Sequence, residues 1–148
     1  MPTRQTTILV IDDNAAIRGV VRDVLQCHQY RVLLAADAAE AQLLCQQHQI
    51  DLVLLEGAMP GIIGWSLALA VKRWLPQAPL IIVSWMPPPT SADAALPASI
   101  ASYLHKTVSP SLLVAEIARL LGERPRQERA PWYASRPSSW ELLRDSSL

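Results

Sequence analysis

The chain has 148 residues, about one domain's worth, and 51% of them are hydrophobic, enough for a substantial core. Thirteen basic residues balance thirteen acidic ones, which argues against a nucleic-acid-binding domain, since such a surface needs a basic patch or stripe. No apolar run approaches the roughly 20 residues of a membrane span, and the N-terminal "MPTRQTTILVI" is too short in apolar residues for a signal peptide.

The expectation is a soluble, cytoplasmic protein with no membrane and no nucleic-acid partner. Cys27 and Cys45 stand in no metal-ligand or redox spacing, and a reducing compartment suits them.

In chain order, "TTILVIDD" predicts a short buried strand that ends in two acids. "NAAIRGVVRDVLQCHQ" predicts a helix, with Ile17, Val20, Val21, Val24 and Leu25 at helical spacing and Asn14 as its cap. "YRVLLAA" is a second strand. "DAAEAQLLCQQHQ" is a second helix, opened by Asp37 with Glu40 three residues on, the pattern of a capping box. "DLVLLE" is a third strand, and "GWSLALAVKRWLPQ" a third helix closed by Pro76. "PLIIVSW" is a fourth strand.

The stretch "MPPPTSADAALPASIA" resists helix formation, because proline lacks the amide proton and clashes with the preceding turn. At most a short, distorted helix is expected around residues 91–96. "SYLHK" predicts a fifth strand. "SPSLLVAEIARLLGE" predicts a strong helix, capped by Ser109, with Pro110 in its first turn and Gly122 as its stop.

Five βα units with continuous apolar strands imply an α/β fold, a parallel sheet covered on both faces. In such folds ligand chemistry sits outside the carboxyl ends of the strands. Those ends collect Asp12 and Asp13, Glu56, Ser84 and Lys106, and all five are expected to converge. Oxygen ligands with a lysine and a hydroxyl suit Mg²⁺ and phosphate oxygens, the parts of a phosphoryl-transfer site. The pair Trp65 and Trp74 reads as packing, and His28, His48 and His105 as surface or structural residues.

The motifs "ILVIDD", "DLVLLE..MPG..G", "LIIVS", "YLHK" and "SPSLLVAEI" resemble those of a response-regulator receiver domain of two-component signalling. The resemblance implies a flavodoxin-like, doubly wound five-stranded sheet of order 2-1-3-4-5, with helices on both faces. It implies Asp12 and Asp13 as metal-binding acids, with Glu56 and the Ala58 carbonyl completing a Mg²⁺ site; the other reading of these acids is a vestigial cluster neutralised by Lys106, with no cofactor. Ser84 and Tyr103 take the places of the switch hydroxyl and switch aromatic, and Lys106 that of the phosphate-contacting lysine.

Three positions depart from the family pattern. Glu56 stands where the phosphoacceptor is normally Asp, and its extra methylene moves the carboxylate by roughly 1.5 Å. It is expected to be a poor acceptor that reaches Lys106 and Ser84 directly, as a partial imitation of the phosphorylated state. Trp85 replaces a small residue and is expected to block the pocket. Thr107 replaces a proline, so a trans bond is expected there.

The reading is an atypical, phosphorylation-independent receiver over residues 1–122, a signalling and protein-interaction module without enzymatic activity. Its partners would be a sensor kinase, another regulator or a second copy in a homodimer. The alternative is a genuine Mg²⁺-dependent phosphoacceptor served by a histidine kinase. Residues 123–148 form a tail rich in Arg, Pro and Ser, where Trp132, Tyr133 and Trp140 are candidate contact residues.

Overall fold

In the computed structural model, residues 4–61, 65–87 and 96–123 are described. The 88–95 segment and the tail aromatics Trp132, Tyr133 and Trp140 lie outside them. The elements are β1 (Thr7–Ile11), α1 (Ala15–Cys27), β2 (Arg31–Ala35), α2 (Ala38–Gln47), β3 (Leu52–Glu56), α3 (Ser66–Trp74), β4 (Leu80–Ser84), β5 (Ser102–His105) and α4 (Pro110–Leu121).

All strand pairs are parallel, in the order β2-β1-β3-β4-β5. The fold is flavodoxin-like and doubly wound. Its central strands β1, β3 and β4 must bury both faces, which is why they are nearly unbroken apolar runs rather than alternating ones. Leu9, Ile11, Val53, Leu55 and Ile82 face Leu67, Ala68 and Val71 of α3. Their strand neighbours Ile8, Val10, Leu52, Leu54 and Ile81 face Ile17, Val21 and Leu25 of α1 and Leu113 and Ile117 of α4. Burying each such side chain contributes about 1.5–3 kcal/mol, so these two layers dominate the stability. Trp65 and Trp74 pack on the α3 side.

The helix ends follow local chemistry. The Asn14 side chain accepts from the Ile17 amide, and that of Ser109 from the Leu112 amide. Gly122 closes α4 at φ 70°, a left-handed conformation open to glycine. Asp37 accepts from the Glu40 amide at 2.8 Å, but Glu40 returns to the Ala36 amide rather than to that of Asp37. The box is therefore closed one residue further out.

At the amino ends of the strands, Glu123 accepts hydrogen bonds from the Tyr30 hydroxyl at 2.7 Å and the Thr6 hydroxyl at 3.3 Å. These tie the end of α4 to the entries of β1 and β2.

Register places the strand ends together. Ile11 lies beside Leu55, Glu56 beside Val83, and Ser84 beside His105. Backbone bonds continue one residue past the strands, from Asp12 N to Ala35 O, Gly57 N to Val83 O and Lys106 N to Ser84 O. Asp12, Glu56, Ser84 and Lys106 are thereby brought to one edge.

Candidate functional site

Four charged or polar side chains are buried at this edge: Asp12 at 4% exposed, Glu56 at 8%, Ser84 at 2% and Lys106 at 3%. The Lys106 ammonium donates to Asp12 Oδ2 at 2.9 Å and forms an ion pair with Glu56 Oε2. The remaining Asp12 oxygen accepts from the Asn14 amide at 2.9 Å, and Glu56 Oε1 accepts from the Ala58 amide at 3.1 Å. Glu56 Oε2 is buried and makes no hydrogen bond beyond its ion pair. Taking such charges out of water costs several kcal/mol each, and only close, well-paired geometry offsets it. Two carboxylates around one ammonium provide that geometry. A cavity of about 20 Å³ beneath them is bounded by all three charged groups and by Val10, Ile17 and Leu54.

The backbone around the acids is also held. Arg18 donates to the Asp12 carbonyl at 2.7 Å, anchoring the β1–α1 turn. Gly57 sits against β4, and a Cβ on it would lie 2.8 Å from the Ser84 Cβ.

The other expected members make no hydrogen bond to the Lys106 ammonium. Asp13 is exposed, in the bend that follows buried Asp12. Ser84 does not meet Glu56. Its hydroxyl turns back along its own chain and accepts from the Met86 amide at 3.1 Å, satisfying the turn that leaves β4. The Tyr103 hydroxyl donates to the Met86 carbonyl at 2.8 Å, also outside the trio. Ala58, by contrast, lies beside the trio: it is exposed, and its amide donates to Glu56.

Trp85 is half-buried, and its ring stands 5.8 Å from the Lys106 ammonium, at cation–π distance. His105 meets the Trp85 ring edge-on, with centroids 6.2 Å apart, and shares hydrogen bonds with the Trp85 carbonyl and with Thr107. The described residues contain no cis peptide bond, so the Lys106–Thr107 bond is trans.

The acids that the resemblance gives to a Mg²⁺ site are engaged within the chain. The oxygens of Asp12 and Glu56 are directed at the ammonium and at two amides, and Asp13 is exposed. Among the described residues, no three acidic, histidine or cysteine side chains are grouped to hold a metal. Lys106 supplies the positive charge between the acids.

The family model for the response regulator receiver domain matches residues 8–118. The chain belongs to that family. The receiver is 30% identical over 128 residues to the phosphate regulon transcriptional regulatory protein PhoB of Pseudomonas aeruginosa, covering 84% of this chain and 56% of that protein. It is 38% identical over 68 residues to the sensor histidine kinase AruS of the same species, covering 46% of this chain and 7% of the kinase. Among solved structures, a CheY-like receiver domain protein from Methanospirillum hungatei superimposes with a TM-score of 0.73 at 25% identity, covering 80% of this chain and 95% of that one. The chain thus spans just over half of the regulator and a small part of the kinase.

Receiver domains are signalling modules, generally non-enzymatic, that interact with histidine kinases and other regulators and typically bind Mg²⁺ at their phosphorylation site. Among the described residues of this receiver no helix is long and apolar enough to cross a membrane.

Sequence reasoning left out His105, the Asn14 amide and Gly57 from the site. His105 carries no motif, and its partner Trp85 is 20 residues away. Gly57 gave one faint signal, a glycine immediately after a strand-end acid.

Proposed function

We propose that this receiver signals without phosphorylation, as a protein-interaction module over residues 1–122, with residues 123–148 as a contact tail. The observation that supports this reading best is the Lys106 ammonium held between Asp12 and Glu56. In phosphoryl transfer the protein contributes positioning and charge stabilisation at the phosphate oxygens. Here the lysine is already engaged by a carboxylate of the same chain.

Glu56 is the phosphoacceptor equivalent, and its longer side chain reaches into the space a phosphoryl group would take. It imitates part of the charged state, with one negative charge in place of nearly two. Ser84 and Tyr103 keep the switch positions, and both now lean on the Met86 backbone. The partner would be a sensor kinase, another regulator or a second copy of this chain in the cytoplasm.

The test is incubation of the full chain with Mg²⁺ and acetyl phosphate, followed by intact mass. The expected result is no gain. Addition of one phosphoryl group, mapped to Glu56 or Asp12, would favour a Mg²⁺-dependent phosphoacceptor instead.

A further inference from the structure

His105 ends β5 directly beside Ser84 and precedes Lys106. Its ring nitrogens meet partners whose roles are fixed. A carbonyl oxygen only accepts, so Nε2, at 2.7 Å from the Trp85 carbonyl, carries the proton and donates. A backbone amide only donates, so Nδ1 is bare and accepts from the Thr107 amide at 3.2 Å. The Thr107 hydroxyl, 2.8 Å from the same nitrogen, then donates to it as well. One neutral tautomer satisfies all three contacts. The imidazole also packs at 81° against the Trp85 indole, which stands over the Lys106 ammonium.

We infer that His105 is a positioning residue: it clamps Trp85 over Lys106 and so governs how small electrophiles and phosphoryl donors reach the lysine. Two independent holds, the carbonyl bond and the ring contact, fix backbone and side chain of the same tryptophan. Thr107 completes the clamp by anchoring the far side of the imidazole. A proline at that position would have no amide proton to give, so the departure at Thr107 and the presence of His105 belong to one device. The nearest charged group along the strand is Lys106, drawn inward by Asp12 and Glu56. Among the described residues no ion pair shown involves His105.

The inference rests on the closed-site reading for its purpose, but its test does not depend on that reading. The chain has two lysines, Lys72 and Lys106, so Lys72 serves as an internal standard. The full chain is labelled with an amine-reactive succinimidyl ester, and the ratio of Lys106 to Lys72 labelling rates is read by peptide mass spectrometry. The Asp12 and Glu56 contacts are common to every variant compared, so the ratio isolates the clamp.

His105→Ala is expected to raise the ratio roughly tenfold, the weight of one or two lost hydrogen bonds. Trp85→Ala should raise it similarly, and combining the two should add nothing further. His105→Gln keeps an N–H for the Trp85 carbonyl and an oxygen for Thr107, and should stay near the native ratio. An unchanged ratio in His105→Ala overturns the inference. So does equal opening in His105→Gln, or additive opening in the double variant. Phosphate uptake by the native chain would count against the closed site, yet the labelling ratios would still report on the clamp.

Discussion

Gly57 and Ser84 touch so closely that a single methyl group does not fit between them: a Cβ on Gly57 would come within 2.8 Å of the Ser84 Cβ and 3.2 Å of Ile82 Cγ2. Both neighbours belong to β4, which is buried and bonded on either side, so neither can move cheaply. The glycine therefore sets how closely the Glu56 turn approaches the Ser84 strand.

Gly57→Ala should lower stability by about 1–3 kcal/mol, the usual cost of overpacking. Ser84→Ala keeps the Cβ and should not relieve it. Ser84→Gly removes the Cβ and should recover part of the loss. Urea unfolding of the two single variants and the double variant supplies the coupling.

Removing the cation is expected to cost more than removing either anion. Lys106→Met leaves Asp12 and Glu56 facing each other, buried and without a counter-charge, and should destabilise by about 3–5 kcal/mol. Adding Glu56→Leu should return part of that, because replacing a buried ion pair with apolar groups is often neutral. Chemical denaturation of the three proteins checks the order. If Lys106→Met unfolds like the native chain, the trio is not the paired cluster described.

Much of the fold was legible because burial on both faces leaves a plain mark. Runs such as Ile8–Ile11 and Leu52–Leu55 leave no polar face, and a parallel sheet is what covers them. Caps were readable for the same local reason: Asn14, Asp37 and Ser109 each bond an amide three residues on. The strand-end position of Glu56 and Lys106 followed from register. What stayed hidden is set by distances across strands. Ser84 turning to Met86 and His105 gripping Trp85 are choices among neighbours that the linear order does not rank.

Glu116 on α4 is bonded by Arg119 one turn on, and its carboxyl is held below the ordinary carboxylate range. Its hydrogen bond from Arg119 is the largest cause, and a bond from Ser102 on β5 adds to it, against a partial opposing effect of burial. A carboxylate lowered in the folded state stabilises above its unfolded value and loses that contribution as pH falls through the folded one. Glu116→Gln should therefore be less stable than the native chain at neutral pH, with the gap closing below about pH 4, the ordinary glutamate range. The effect is small, since the pair is solvent-exposed. Paired melts across pH measure it; a gap that widens in acid would contradict the assignment.

The two thiols should separate by reactivity. Burial pushes the Cys45 thiol up to about 11, while Cys27 is exposed. Near pH 8 only about one Cys45 in a thousand would be thiolate, the reactive form. A thiol reagent should modify Cys27 first, and Cys45 modification should accelerate about tenfold per pH unit. Peptide mapping over time distinguishes the sites. Equal rates at pH 8 would contradict the burial of Cys45.

Glu56→Asp tests whether the acid's length closes the site. The shorter side chain draws the carboxylate back by roughly one bond, about 1.5 Å. It should then be unable to keep both the Ala58 amide and the Lys106 ammonium, and the lysine should lean on Asp12 alone. That reopens space for a phosphoryl group but leaves Trp85 above it. Glu56→Asp is thus expected to take up phosphate from acetyl phosphate and Mg²⁺ slowly, and Trp85→Ala in the native background not at all. The double variant should exceed both, since the two positions act on one space and need not be additive. Binding to a partner, once one is in hand, separates imitation from scaffolding. If Glu56 stands in for phosphate, Glu56→Asp should bind more weakly, and phosphorylation of the double variant should restore binding. If Glu56→Asp and Glu56→Ala bind as well as the native chain, the carboxylate plays no part in recognition and the domain is a scaffold.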